Sequence, residues 1–160
     1  MKKILVFLTM ITFFSCDNAG EKDILGLTDD TGAEFSVFND QNEDLLNPEN
    51  PNHLDISKIR LFYVIDGVSH EFQNLNVDDS SVLRIVKHEN EYRIRILLND
   101  FDKSEKTVMY IQWSETDRDM IESSFKRAYN LYKPGKIWFN KKLVWEFTFG
   151  IDQAYFKVIK

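Results

Sequence analysis

Apolar residues recur at every second position along most of this chain, in short runs parted by Asn, Asp, Gly and Pro. A period of two belongs to strands, whose side chains point alternately to opposite faces. Phe35 and Val37 alternate with polar neighbours in a first short strand, and residues 39–53, rich in Asn, Asp and Pro, read as a loop. Residues 58–66 place Ile59, Leu61, Tyr63 and Ile65 on one face and Phe62 and Val64 on the other, which predicts a central strand. Asp66-Gly67 then offers the positive φ angles of a two-residue type I′ turn. That turn sets Ile65 opposite Val68, Tyr63 opposite His70 and Leu61 opposite Phe72.

A second hairpin joins residues 82–87 to 92–98 through His88-Glu89-Asn90-Glu91, with Tyr92, Ile94, Ile96 and Leu98 on one face and Arg93 and Arg95 toward water. Residues 107–113 follow as a strand with Met109, Ile111 and Trp113 in phase. The third hairpin spans residues 136–149 about Asn140-Lys141; Leu143, Trp145, Phe147 and Phe149 alternate strictly, and pairing brings Trp138 beside Leu143. Gly150 interrupts, and residues 154–159 supply a last strand. Residues 116–131 read two ways: Ile121, Phe125, Ala128 and Tyr129 fit a helix face, while Ile121, Ser123, Phe125 and Arg127 fit a strand. Seven or eight strands joined mostly by hairpins predict a mainly β fold. Its expected form is an antiparallel sandwich, immunoglobulin-like or transthyretin-like, with at most one short helix, and a small barrel is the alternative.

Thirteen phenylalanines give one domain enough core material to fold without crosslinks, and Cys16, the only cysteine, leaves no partner for a disulfide. The formal charge of −6 disfavours electrostatic capture of nucleic acid or of anionic lipid headgroups.

The first residues have a different character. Met1-Lys2-Lys3 is a short positive start, residues 4–14 are apolar apart from Thr9 and Thr12, and Ser15 is a small residue before Cys16. This order is that of a secretory signal peptide, and the apolar run falls short of the roughly 20 residues that span a bilayer. The Phe13-Phe14-Ser15-Cys16 end resembles the lipobox of bacterial lipoproteins, with Phe13 where Leu is usual; small lipoproteins of the Bacteroidota are similar in their relaxed box and Lys-Lys start. The resemblance implies acylation of Cys16, palmitate included, and cleavage just before it. It is continued by residues 35–48 and 59–67, where a short strand, an Asn/Asp loop, Leu45-Leu46-Asn47-Pro48 and a hairpin ending in Asp66-Gly67 look like the opening of such lipoproteins. The organisation expected is a signal peptide over 1–15, a lipidated cysteine and flexible tether over 16–32, and a single β-rich domain over 33–160. Acidic residues directly behind Cys16 resemble surface-export signals, so the location expected is the cell envelope, at the periplasmic or the surface face of the outer membrane.

Candidate chemistry is sparse. Asp40, Asn42 and Asp44 offer oxygens at alternate positions, as a calcium loop begins. An EF-hand would then need Gly and Glu where this chain has Leu45 and Pro51, so a solvated acidic loop is favoured over a looser calcium site. His53, His70 and His88 lack ligand spacing, and zinc would have to gather them from separate elements. Trp113, Trp138 and Trp145 suit either a sugar platform or the core, and strand phase favours core. Tyr110, Tyr129 and Tyr132 suit a surface. Lys133-Pro134-Gly135-Lys136 reads as a turn before a strand.

No cofactor and no catalytic residue is expected. The leading functional reading is a lipid-anchored binding or adhesion module for a protein or glycan, without enzymatic activity and without nucleic acid as partner. A hydrolase of envelope or extracellular glycans is the alternative from another class, because carboxylate pairs abound in an acidic chain. A structural component of an envelope complex is a third, and would show a large exposed apolar face or a free sheet edge.

Overall fold

The alternating pattern becomes two packed sheets in a computed structural model that describes residues 28–72, 82–128, 131–151 and 153–160. The strands are β1 (Thr28–Asp29), β2 (Gly32–Phe38), β3 (Arg60–Ile65), β4 (Val68–Glu71), β5 (Leu83–His88), β6 (Glu91–Leu97), β7 (Thr107–Gln112), β8 (Arg118–Ala128), β9 (Leu131–Phe139), β10 (Lys142–Glu146) and β11 (Ala154–Ile159). The larger sheet runs β1-β9-β8-β7-β3-β4, with β10 also on β9, and the smaller runs β11-β2-β6-β5. Neither closes on itself, so the fold is a sandwich and not a barrel. Cys16, the expected signal peptide, most of the expected tether and Tyr129 lie outside the described residues.

The three hairpins form as local chemistry dictates. Asp66 and Gly67 take φ of 50° and 77°, and β3 and β4 pair Ile65 with Val68 and Tyr63 with His70. Asn140 and Lys141 likewise take positive φ, and Leu143 faces Trp138. Between the sheets, Phe35 of β2 is fully buried: it stacks on Phe156 at 4.9 Å between centroids and meets Trp113 and Phe139 at 6.3 Å. Ile94, Ile96, Met109, Ile111, Ile121 and Ile137 complete the fully enclosed layer. A second link between the layers stands at one end. Lys160, just past β11, donates from Nζ to Asp119 (2.7 Å) and Asp117 (2.9 Å), while Asp119 also accepts from Trp113 Nε1 and Asn140 Nδ2, both at 2.7 Å.

Several expectations need correction. Residues 118–128 are strand, and the helix reading fails because Ser123 points inward, where its hydroxyl bonds Thr107 Oγ1 at 2.9 Å. That buried polar pair broke the apolar alternation without breaking the ladder. Lys133-Pro134-Gly135-Lys136 is no turn but the interior of β9, where the register shifts: Phe125 faces Pro134 and Ser124 faces Lys136, which leaves Gly135 as the extra residue of a bulge. A Cβ there would press on Ser124 at 3.3–3.4 Å. Residues 28–32, expected in the tether, belong to the domain, since Thr28 and Asp29 pair in parallel with Leu131 and Tyr132, and Asp30 accepts from Arg95. Among the described residues the strands number eleven, against the seven or eight expected; β1, in the expected tether, and β8, in the stretch that read two ways, are among the additions.

Candidate functional site

The loop of residues 39–53 is ordered by its own amides and carboxylates. Asn39 Oδ1 accepts from the N–H groups of Gln41 and Glu43, Asn47 Oδ1 from Glu49, and Asn50 Oδ1 from Asn52. Such side-chain turns are why Asn and Asp collect in loops. Leu45 and Leu46 plug the loop into the core. The calcium candidates are drawn to separate partners: Asp44 accepts from the N–H groups of Leu46 (2.8 Å) and Tyr92 (2.7 Å), Asn42 accepts from Lys157 (3.0 Å), and Asp40 sits exposed in the turn. Among the described residues no three His, Cys, Asp or Glu side chains converge as a metal site requires.

The histidines are also kept apart. His53 bonds Asn50 within the loop, His88 ends β5 opposite Glu91, and His70 borders a shallow apolar pocket of about 200 Å³ with Tyr63, Ile65, Phe72 and Phe101. Tyr63 donates its hydroxyl to Leu97 C=O at 2.9 Å, and burial together with the nearby Asp100 pushes its ionisation upward, so the phenol stays neutral.

Both outer faces are finished by cations laid over aromatic rings. On the smaller sheet Arg93 and Arg95 do not stand out into water: their side chains are only 13% and 23% exposed, pressed over the buried Glu34. The Arg93 guanidinium lies 3.8 Å from the Tyr155 ring centroid and pairs with Glu91 at 2.7 Å. Burial raises the Glu91 pKa, but hydrogen bonds from Arg93 and Tyr155 outweigh it and leave the carboxyl below its ordinary value. The larger sheet repeats the device, with Arg118 over Phe62 and Tyr110 and Lys106 over Trp138. Trp138 therefore faces outward, contrary to its expected place in the core, because the bulge at Gly135 sets Ile137 and Phe139 inward instead. Of the three tryptophans, Trp113 is core and Trp145 packs partly against it, so no joint platform forms.

What remains unfinished is the corner after β10. The strict alternation of Leu143, Trp145, Phe147 and Phe149 breaks at a register shift between Leu143 and Trp145, and the strand ends at Glu146. Phe147 still donates its N–H to Gly135 C=O at 2.8 Å. The chain then reverses in a turn closed by Ile151 N–H on Thr148 C=O, with Gly150 at φ 87°, a conformation suited to glycine. This turn thrusts Phe149 outward, 86% exposed, beside a half-exposed Ile151. Trp145, Phe147 and Phe149 form an edge-to-face series at 6.5 and 5.3 Å, and Lys126 Nζ lies 4.5 Å from the Phe147 centroid and 5.8 Å from that of Phe149. Phe149 continues the alternation of the run before it, and Gly150 directly after it is the signal in the sequence that the strand phase ends there. No protein-family model matches this chain, and comparisons with curated proteins and with solved structures return no match.

Proposed function

We propose that this chain is a non-catalytic contact module of the cell envelope, held at a membrane by lipid on Cys16 and meeting its partner through the aromatic corner after β10. The observation that carries the contact reading is the exposure of Phe149 on its turn, 86% among the described residues. Burying a phenylalanine side chain is worth about 1.5–3 kcal/mol, so a protein that holds one out, next to a second and a tryptophan, forgoes stability that contact with a partner would recover. The lipobox-like end at Cys16 supports the anchoring half.

Each half has its own test. Metabolic labelling with an alkyne fatty acid should mark the wild-type chain and not Cys16→Ser; a variant labelled as strongly as wild type would refute the anchor. For the corner, a photoreactive phenylalanine analogue at position 149 should crosslink in intact cells, while the same analogue at Val68, which is 56% exposed on the far edge of the sheet, should not. Equal yields at the two positions would remove the corner as a contact site.

A further inference from the structure

We infer that β11 is a docking edge for an extended, carboxylate-bearing segment of another polypeptide, which joins the smaller sheet as one more strand. This contact is separate from the corner at Phe149 and from lipid on Cys16. Backbone geometry supplies the first argument. β11 ends the smaller sheet and pairs only with β2, in parallel. Ile159 lies opposite Phe38, whose C=O accepts the N–H of Lys160 at 2.8 Å. Alternate residues of a ladder turn both backbone groups to the same side, so those of Ala154, Phe156 and Val158 face β2, while those of Tyr155, Lys157 and Ile159 face away from it. Among the described residues no other strand takes up these outward N–H and C=O groups. A row of donors and acceptors at strand spacing is matched by a second strand.

The space beside this edge supplies the second argument. A groove of about 350 Å³ lies between β11 and β10, with Phe139, Val144, Val158 and Ile159 as its apolar part and Lys142 and Lys157 as its cations. A strand laid on β11 would send alternate side chains inward to the apolar part and outward beside Lys157. Charge supplies the third. No carboxylate lines the groove, and among the described residues neither lysine has an ion pair: Lys157 donates to Asn42 Oδ1 at 3.0 Å and lies over the Phe38 ring. The acidic groups around it are engaged or set apart. Asp117 and Asp119 are held by Lys160, Glu146 by Lys136 and Glu91 by Arg93, while Glu89 borders Lys157 in a separate hollow and Asp40 sits exposed in its own turn. The same lysine argues against a second copy as occupant. Two β11 strands joined antiparallel about Lys157 would set it against its twin, and like charges directly opposite weaken a ladder. An edge lysine thus bars self-pairing and admits an acidic strand.

Amide hydrogen exchange on the purified full-length chain tests the edge residue by residue. Alone, the N–H groups of Tyr155, Lys157 and Ile159 should exchange many-fold faster than those of Phe156 and Val158, which β2 protects. The probe is a synthetic peptide of alternating valine and glutamate with both ends blocked, and its counterpart alternates valine and lysine. At millimolar concentration the glutamate peptide should slow exchange at 157 and 159 severalfold and leave β4, an edge of the other sheet, unchanged. Methylating all of its backbone amides should abolish the effect, and Lys157→Glu, at an exposed position, should turn the preference toward the lysine peptide. Exchange at 157 and 159 that the glutamate peptide leaves unmoved would overturn the inference, as would equal slowing by the lysine or the methylated peptide. Slowing that follows rising protein concentration, with no peptide present, would also overturn it, because the occupant would then be a second copy of this chain.

Discussion

Replacing Phe35 with alanine should lower the melting temperature by roughly 10–20 °C, the largest effect expected of any single change in the core. Phe35 is fully enclosed, and its ring is the one surface that Phe156 of the smaller sheet, Phe139 of the larger and Trp113 beyond β7 all share. Truncation removes the transfer free energy of a whole ring and leaves a cavity that three stiff aromatic neighbours cannot collapse into, at a cost of about 3–5 kcal/mol. Domains of this size commonly hold about 5–15 kcal/mol in total, so much of the fold's margin goes. Phe35→Leu refills part of the volume and should recover about half of the loss, and Val68→Ala, at an exposed position, should shift stability by no more than about 0.5 kcal/mol. Urea denaturation of the three variants checks this. A Phe35→Ala protein as stable as Val68→Ala would mean that the sheets do not pack across this ring.

Asp119→Ala should follow closely, at about 3 kcal/mol, because one carboxylate satisfies three donors. Without it the indole N–H of the buried Trp113 and the amide of Asn140 lose their acceptor, and Lys160 keeps only Asp117. The same network makes stability depend on pH. Burial raises the Asp119 pKa, but the bonds from Lys160, Asn140 and Trp113 outweigh it, so the folded value lies below the ordinary 3.8. A depressed carboxyl pKa stabilises the fold fully above the unfolded value, and that contribution drains away as pH falls through the folded value. The wild-type advantage over Asp119→Asn should therefore be constant near neutral pH and shrink in acid, below about pH 4. An advantage that stayed level from pH 7 to pH 2 would show that the carboxylate's charge plays no part in the latch.

Much of the sandwich was legible in residue order because its hairpins are local. Asp66-Gly67 fixed the register of β3 on β4, since positive φ at two successive positions admits few side chains and leaves the flanking strands no choice of partner. The inward positions of β2, β6, β7 and β11 followed from a period of two. Where a polar residue took an inward place, as Ser123 does opposite Thr107, the period lost its contrast and helix and strand could not be told apart. Where an extra residue entered a strand, as Gly135 does in β9, every side chain beyond it changed face, and Trp138 moved from the expected core to the outer surface.

The candidate site was harder to see, for a related reason. Leu143, Trp145, Phe147 and Phe149 have the spacing of a buried strand, and nothing in that spacing shows that the ladder stops at Glu146 or that Gly150 turns the last ring into water. Arg93 and Arg95 present the converse case: they occupy outward positions as expected, yet lie flat over Glu34 and Tyr155, because a carboxylate on the neighbouring strand draws them down.

Neighbouring residues decided the strand period, the hairpin turns and the class of fold, since backbone angles and alternation are settled within a few positions of one another. Tertiary packing alone decided that β11 lies parallel to β2 across more than a hundred residues, that Lys160 ties the layers together, and that β1 and β10 share one edge of β9. Those outcomes depend on which surfaces bury the most apolar area against each other, and that is a property of the assembled sheets and of no single stretch of chain.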